Sequence, residues 1–363
     1  MIKVSTQVLR TALDRVAKAV PNKALIPVTD AVMFIPEGDD MTIYTTDSNI
    51  FARTYVVCET EEPVPFGVDF HKLHSIISKF STDEEVNLLI NSKKVIVKGK
   101  GKRYSLPYYN PKEAIECPDI NGDEIRVGIG DFLGACDSIK GLIDIRQDLR
   151  PALSAFNIIS KSDRLTLFAT DSFSMGKCFI ESKGEPCVFL VSPRVISCMD
   201  PKEKGILSIF QDETRIMFRT VNLDVISVKP QHKMPPLIEK LFDGAEKERC
   251  IELDHAELQS AIARLSAFIG KDGYAIIKFD IKESLLLTSK DMMGDSIGEE
   301  SINIVHNFGE NNSFHLNGAH LLMILSNLKC GKLKIYIPED TSPVRIMSDE
   351  VEDKEFLSAR VIA

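Results

Sequence analysis

Apolar residues recur along the chain in two patterns. Stretches such as AVMFI, MTIYTT and ARTYVV alternate apolar and polar positions, which predicts half-buried β-strands. Elsewhere the apolar positions lie three or four residues apart on one face, which predicts amphipathic helices. Three such faces are formed by Leu9, Ala12 and Val16, by Leu133, Cys136 and Ile139, and by Leu258, Ala261 and Leu265. The chain therefore alternates single helices with groups of strands.

The chain also carries an internal repeat. The pair Thr46-Asp47 follows a strand pattern and recurs 124 residues later as Thr170-Asp171. A weaker third copy, LLLTSKD, ends at Asp291, a further 120 residues along. Self-similarity at a fixed period indicates a repeated structural unit. We therefore predict three tandem domains over residues 1–122, 123–248 and 249–363, with the turn-rich segment DINGDE at the first boundary.

Each copy contains two strand–helix units, so the pattern predicts six helices. Their predicted ranges are 5–20, 69–81, 129–143, 192–204, 254–270 and 317–332. Three or four strands follow each helix, and the links between them are of hairpin length. Short links join antiparallel strands, whereas parallel strands need long crossovers. The fold class predicted from the residues is α+β with mostly antiparallel sheet.

Composition restricts the functional class. The 363 residues are 44% hydrophobic and 27% charged, and no apolar run approaches the roughly 18 residues of a membrane span. The start lacks a secretory signal, and the eight Cys form no CxxC pair, so we expect reduced thiols in the cytoplasm. The net charge is −9, but the six predicted helix ranges hold 12 Lys or Arg against 8 Asp or Glu. Relatively basic helices on an acidic protein could attract phosphates locally.

No catalytic or metal-binding constellation is found. His71 and His74 have the i, i+3 spacing of a metal pair, but no Cys or carboxylate completes a site. The basic segment KGKGKR (98–103) lacks the Walker pattern and does not open a helix. Motifs of serine hydrolases and zinc proteases are absent. We therefore predict a protein that is not an enzyme and that has no cofactor and no metal.

Taken together, several weak motifs resemble a known family. These are Leu25-Ile26-Pro27 after the first helix, Arg150-Pro151-Ala152-Leu153, and the strand LTLFATDSFSM. Their order and spacing resemble those of the bacterial DNA polymerase III β subunit, the DNA sliding clamp, over the whole chain. The resemblance implies a head-to-tail homodimeric ring of three clamp domains per subunit, with helices lining a channel around duplex DNA and antiparallel sheets outside. It implies a processivity factor whose partners are the replicative polymerase and the clamp loader, recruited through short linear motifs, with no membrane.

The resemblance also implies three sets of site residues. Sequence-independent DNA contacts are expected at Lys23, His71, Lys72, Gln147 and Arg150. A peptide-binding pocket is expected from Leu153, Thr170, Ser172, Phe173, Met175, Pro235, Leu237, Asn317, His320, Thr341, Pro343, Val361 and Ile362. The dimer interface is expected at Lys102, Arg103, Tyr104, Leu106, Ala267 and Phe268, with Tyr104, Leu106 and Phe268 as its apolar anchors.

The sequence departs from the family at the predicted pocket. Ser172-Phe173-Ser174-Met175 replaces the usual Gly-His-Arg-Leu, and the segment 359–363 replaces the usual Met-Pro-x-Arg end. Altered peptide preference is therefore expected. Two other functions stay open: a clamp-like scaffold that does not encircle DNA, and a hydrolase on a repeated α+β scaffold. The missing nucleophile–base motif counts against the hydrolase, and a native mass measurement would test the ring.

Overall fold

The structure is a computed structural model of the chain. It describes residues 1–61, 63–91, 93–144, 150, 152–230, 238–242, 249–268, 275–290 and 296–361.

The same order of elements occurs three times along the chain, except that the first repeat has an additional short strand, β5. The first repeat comprises β1 (Ile2–Ser5), α1 (Thr6–Val16), β2 (Ala31–Glu37), β3 (Asp40–Thr46), β4 (Ile50–Val57), β5 (Glu59–Thr60), β6 (Phe66–Asp69), α2 (Phe70–Ile77), β7 (Glu85–Ile90), β8 (Lys94–Gly99) and β9 (Lys102–Tyr109). The second repeat comprises β10 (Glu124–Gly128), α3 (Ile129–Ile139), β11 (Phe156–Lys161), β12 (Arg164–Thr170), β13 (Ser174–Lys183), β14 (Cys187–Val191), α4 (Pro193–Ser197), β15 (Ile206–Gln211), β16 (Arg215–Arg219) and β17 (Asp224–Val228). The third repeat comprises β18 (Cys250–Asp254), α5 (His255–Leu265), β19 (Ile276–Ile281), β20 (Ser284–Lys290), β21 (Ile297–His306), β22 (Asn312–Asn317), α6 (Gly318–Asn327), β23 (Lys332–Tyr336), β24 (Val344–Ser348) and β25 (Val351–Ser358).

The predicted α+β class and the antiparallel pairing are confirmed, but the helices are shorter than predicted. The fourth helix was expected over 192–204 and ends at Ser197. Asp200 precedes Pro201, and a residue before proline is disfavoured in the helical conformation. The face predicted for α3 is wrong at one position, because Phe132 is fully buried whereas Leu133 is half-buried.

The shorter helices also change the charge argument. As the structure has them, the six helices hold five Arg or Lys and four Asp or Glu, a net charge of +1. Most of the predicted excess of positive charge therefore comes from residues that flank the helices, such as Lys18 and Lys79. Phosphate attraction would then come from helix ends and loops rather than from helix faces.

The chain divides into two compact units. The first contains Met1–Gly130, Lys183–Glu185 and Pro193–Gln231, and the second contains Asp131–Ser182, Pro186–Ser192 and His232–Ala363. Each unit thus combines strands from two repeats. The proposed three-domain boundaries stay a prediction.

In the first unit, the sheet continues from the first repeat into the second. Strand β4 pairs with β17 in antiparallel fashion, with Arg53 opposite Asp224. We call this pairing the first seam. An apolar cluster that includes Tyr44 and Phe51 of the first repeat and Met217 and Ile226 of the second lies at this seam. Burial of one apolar surface shared by both repeats therefore holds the seam together.

The second unit has the same arrangement one repeat later. Strand β13 pairs with β25, with Lys177 opposite Glu355, and we call this pairing the second seam. Gly176 lies opposite Phe356, and a Cβ at Gly176 would come within 3.1 Å of the Phe356 ring. Glycine therefore leaves room at the seam for an aromatic ring on the facing strand.

A buried charge network crosses the first seam. The Arg53 guanidinium contacts Asp224 at 2.9 Å and Asp119 at 2.6 Å, and Arg219 contacts Asp224 at 2.9 Å. Burial works against the charge of Arg53, but hydrogen bonds to Asp119 and Asp224 outweigh it and raise its pKa. Because Asp224 is 2% exposed and faces two cations, it is the centre of the network.

We predict that Asp224→Ala destabilises the first unit by about 3–5 kcal/mol, because it leaves buried Arg53 without its main counter-charge. The matched control is Asp119→Ala, which removes the 76% exposed partner of the same guanidinium and should cost about 0–1 kcal/mol. Urea unfolding followed by circular dichroism measures both. Equal losses of free energy of unfolding for the two variants would contradict this assignment.

Candidate functional site

The Thr-Asp-Ser motif forms the same hairpin turn in the first two repeats. In the second repeat, the Thr170 hydroxyl donates to the Ser174 carbonyl at 2.8 Å and accepts from the Ser172 amide at 3.1 Å. The Asp171 carboxylate accepts from the amides of Phe173 and Ser174 at 2.8 and 2.7 Å. These side chains satisfy the amides of a turn that has no other backbone partners for them.

This turn requires a left-handed residue. Ser172 has a φ of 80°, and the equivalent Ser48 in the first repeat has a φ of 84°. Few residues other than glycine adopt this conformation. As a result, Phe173 stands at the tip of the turn with its side chain 65% exposed.

The N-terminus of α6 lies beside this turn. His320 Nδ1 is 3.1 Å from the Ser174 hydroxyl, and its Nε2 is 3.4 Å from the Asp171 carboxylate. The His320 ring centroid is 6.5 Å from that of Phe173. Asn317 caps the helix by accepting from the amides of Ala319 and His320. The polar wall of the site is therefore built from the turn and from the first residues of α6.

An apolar floor lies on the other side of Met175. Met175 sits opposite Leu357 across the second seam. It packs against a cluster of Ile159, Phe168, Ile238, Phe242 and Leu357. Leu241, next to Phe242, is half exposed. Met175 and Leu241 therefore expose part of this apolar region beside the polar wall.

The C-terminal segment crosses the site. The Ala359 amide donates to the Phe173 carbonyl at 2.7 Å, and the Val361 amide donates to the His315 carbonyl at 2.9 Å. Between them, Arg360 donates to the Pro338 carbonyl and lies over the ring of Phe314. The tail is therefore fixed to the turn and to the third repeat rather than free.

The structure brings together part of the predicted pocket. Seven of the predicted residues lie in or beside the turn, the start of α6 and the C-terminal segment: Thr170, Ser172, Phe173, Met175, Asn317, His320 and Val361. Thr341 and Pro343 lie in the loop before β24, and Leu153 is half-buried in the loop before β11. Pro235, Leu237 and Ile362 lie outside the described residues. Thr170 and Asn317 use their side chains to build the turn and the helix cap, so they support the site rather than line it.

Sequence reasoning missed Asp171, Ser174 and Leu357. Asp171 belongs to the repeated motif, so its recurrence was the available signal. Leu357 follows from the alternation of the last strand, but its position opposite Met175 depends on a pairing between distant segments.

Three of the predicted DNA-contact residues lie at one end of a helix pair. Asp14 contacts His74 at 2.7 Å and Arg10 donates to the Ile77 carbonyl, so α1 and α2 pack antiparallel. His71 and Lys72 begin α2 at the end of the pair where α1 finishes, and Lys23 is an exposed residue of the segment after α1. Lys72 also pairs with Asp69.

Arg150, in the second unit, is exposed. Gln147 lies outside the described residues.

Four of the predicted dimer residues lie on β9, and Ala267 and Phe268 lie in a 3-10 turn after α5. Over Lys102–Pro107, β9 pairs only with β8 in the part of the chain that the structure describes. Tyr104 is 40% exposed there, and Lys102 is held by Glu84 at 2.9 Å. Leu106 is 6% exposed and packs inside the subunit, so the structure does not present it as an anchor.

In the third repeat, Ala267 is exposed and Phe268 is half-buried beside β21. A Cβ at Gly298 would come within 2.5 Å of the Phe268 ring. Over Ile297–Asn303, β21 pairs only with β20 among the described residues.

Further features of the described residues concern other kinds of site. They contain no group of three or more His, Cys, Asp or Glu side chains that could hold a metal ion. None of their helices is long and apolar enough to cross a membrane. All eight Cys are described and are free thiols, as predicted. Burial raises the pKa of Cys117 to about 12.

Known proteins resemble this chain in sequence. Residues 1–116 match the family described as DNA polymerase III beta subunit, N-terminal domain. A Pseudomonas aeruginosa protein named beta sliding clamp is 21% identical over 98% of this chain and 97% of its own length. A Pseudomonas putida protein of the same name is 19% identical over the same shares.

Solved structures agree in fold. The crystal structure of the DNA polymerase III subunit beta from P. aeruginosa matches all of both chains with a TM-score of 0.91 and 19% identity. A DNA polymerase sliding clamp from Caulobacter crescentus matches with a TM-score of 0.89 and 15% identity over 100% and 99% of the chains. The fold is therefore that of a sliding clamp. The family model covers the first repeat, and the likeness over the whole chain is one of fold.

Proposed function

We propose that this protein is a DNA polymerase processivity factor. Two copies form a head-to-tail ring around duplex DNA and recruit the polymerase and the clamp loader through the site at the second seam. The observation that carries the proposal is that the two free edge strands correspond in register to the strands that pair at the two internal seams.

The repeat supplies the register of a third seam. In each repeat, one row of residues crosses four neighbouring strands to the last strand of the repeat. The rows are Ile2, Leu88, Val97 and Tyr104; Ile125, Ile209, Phe218 and Val225; and Ile251, Ile335, Ile346 and Phe356. Tyr104 is therefore equivalent to Phe356.

The facing strand has a glycine at equivalent positions. Gly176 precedes Lys177, which pairs with the third residue before Asp171. Gly298 likewise precedes Glu299, which pairs with the third residue before Asp291. At both positions a Cβ would clash with side chains that follow the first helix of the repeat. If the third seam follows the second, the partner subunit's Tyr104 lies over Gly298 and beside Phe268. Tyr104 and Phe268 are thus the anchors, as aromatic side chains often are at interface centres.

Symmetry then closes the ring. The edge of the third repeat accepts the edge of the first repeat of a second copy, and the same contact forms again on the other side. A heterologous contact repeated by a two-fold rotation closes without leaving an exposed edge. Closure is favourable because an unpaired strand edge exposes backbone groups that otherwise pair with other chains.

DNA would be held through phosphate contacts without sequence preference. Lys23 is exposed in the segment after α1, so its ammonium group is free to reach a phosphate, and His71 and Lys72 are exposed at the start of α2. Gln147 and Arg150 are proposed from the family pattern. The role is binding, with no catalytic activity, and the site of action is the cytoplasm.

We predict that Tyr104→Asp yields folded monomers, because a carboxylate would be buried against Gly298 and Phe268. The dimer dissociation constant should rise by more than about 100-fold. Size exclusion with light scattering measures the mass. Phe173→Asp, at another exposed aromatic position that lies outside the third seam, is the control and should stay dimeric. A dimeric Tyr104→Asp protein would overturn the assigned seam.

We predict that Met175→Asp weakens binding of a Gln-Leu-x-Leu-Phe peptide by more than about tenfold, because it charges the apolar floor. Deleting residues 359–363 should also change binding, since the tail contacts Phe173. Fluorescence anisotropy measures both variants, and Tyr104→Asp serves as the control with an intact site. If neither change alters binding, the peptide site lies elsewhere.

We predict that Lys23→Ala and Arg150→Ala weaken duplex binding equally for unrelated sequences. Each replacement should lower the slope of log affinity against log salt by about 1, because one phosphate contact is lost. Binding is measured by anisotropy from low to physiological salt. The control is Lys161→Ala, a cation already paired with Glu239. An unchanged salt slope would remove the two residues from the DNA site.

A further inference from the structure

Both internal seams carry a cross-strand ion pair of the same polarity. At the first seam the cation, Arg53, is on β4, and the acid, Asp224, is on the last strand of the next repeat. At the second seam the cation, Lys177, is on β13, and Glu355 is on the last strand of the next repeat, 3.2 Å away.

In each case an Arg on the strand beside the acid completes the cluster. Arg219 contacts Asp224 at 2.9 Å, and Arg345 contacts Glu355 at 2.8 Å. Each acid is thus enclosed by two cations.

The free edge of the first repeat has the opposite charge. Because Tyr104 is equivalent to Val225 and Phe356, the residue before it, Arg103, is equivalent to the acids Asp224 and Glu355. Its neighbour on β8 is Lys98, another cation. Among the described residues, neither Arg103 nor Lys98 forms an ion pair. This edge therefore carries uncompensated positive charge.

The free edge of the third repeat is reversed as well. Tyr44, Phe168 and Thr288 are equivalent, because each is the third residue before the Asp of its repeat. On the next strand, Tyr44 faces Arg53 and Phe168 faces Lys177. Thr288 faces Glu299. Glu299 is therefore equivalent to the two cations. It is exposed and has no ion pair within the described part of the chain.

We propose that Arg103 and the partner subunit's Glu299 form the ion pair of the ring-closing seam, and that its reversed polarity determines which edges can pair. This inference rests on the proposed ring. A β9 edge presented to β4 or β13 would place Arg103 against Arg53 or Lys177. A β21 edge presented to β17 or β25 would place Glu299 against Asp224 or Glu355. The two free edges accept each other and reject the strands of the internal seams.

Burial gives the pair its selectivity. At the internal seams the charged side chains are mostly buried, so an unmatched charge there is costly. Like charges facing each other at a desolvated contact strongly disfavour association. A protein with six similar strand edges gains from such a device, because mispairing between repeats of different chains would otherwise compete with ring closure.

Charge exchange tests the pair. Arg103→Glu alone and Glu299→Arg alone should each raise the dimer dissociation constant more than about 100-fold, as measured by sedimentation. An equimolar mixture of the two variants should form one-to-one dimers by native mass spectrometry, because both contacts are then complementary. The double variant should pair with itself and not with wild type. Lys100→Glu and Glu283→Arg make the same charge changes at exposed turns and should leave the dimer intact.

The outcomes separate this inference from the ring itself. A monomeric wild-type protein overturns the ring. A dimeric wild type whose single variants are also dimeric, or whose folded single variants fail to combine, keeps the ring and overturns the ion pair. Refolding from urea tests the selectivity, since the double variant has the polarity of the internal seams. After refolding, the double variant should give more high-mass species than wild type does. If both proteins give the same yield of dimer, the proposed selectivity is wrong.

Discussion

Pairing of strand edges between repeats is the constraint on which the rest of the structure depends. Each repeat has two edges, one on the strand after the Thr-Asp turn and one on its last strand. Four of these six edges pair within the chain, at the first and second seams. Among the described residues, the two edges without a partner, on β9 and β21, are the counterparts of strands that have one. In the proposed ring, a second copy supplies the missing partner for both.

The side chains at the seams follow from this pairing. A glycine faces an aromatic residue at the second seam, and the proposed third seam has the same combination. The first seam instead places Ala52 opposite Val225 and relies on the buried Arg53–Asp224 network. The proposed partner site lies at the second seam, where the Thr-Asp-Ser turn, α6 and the tail converge. Its polar groups are largely occupied by each other, so in this proposal the specificity for a peptide rests on the apolar residues around Met175 and on exposed Phe173.

Much of this organisation could be predicted from the sequence, because the repeat preserves apolar spacing and the turn motif. The faces of α1 and α5 were predicted correctly for that reason. Sequence reasoning was incomplete where long-range contacts decide. Leu106 was chosen as an interface anchor from the resemblance to the family, but it is 6% exposed where β9 pairs with β8. Leu133 and Phe132 are adjacent apolar residues, and only packing selects between them. Asn317 was assigned to the pocket, although its side chain caps α6.

Amide hydrogen exchange of the two free edges tests the central claim most directly. At concentrations above the dimer dissociation constant, amides of β9 over Lys102–Ser105 and of β21 over Ile297–Ser301 should be protected together. Dilution should remove protection at both edges at the same midpoint, while β4 and β17 stay protected. Fast exchange of β9 at every concentration, or protection of only one edge, would contradict the third seam.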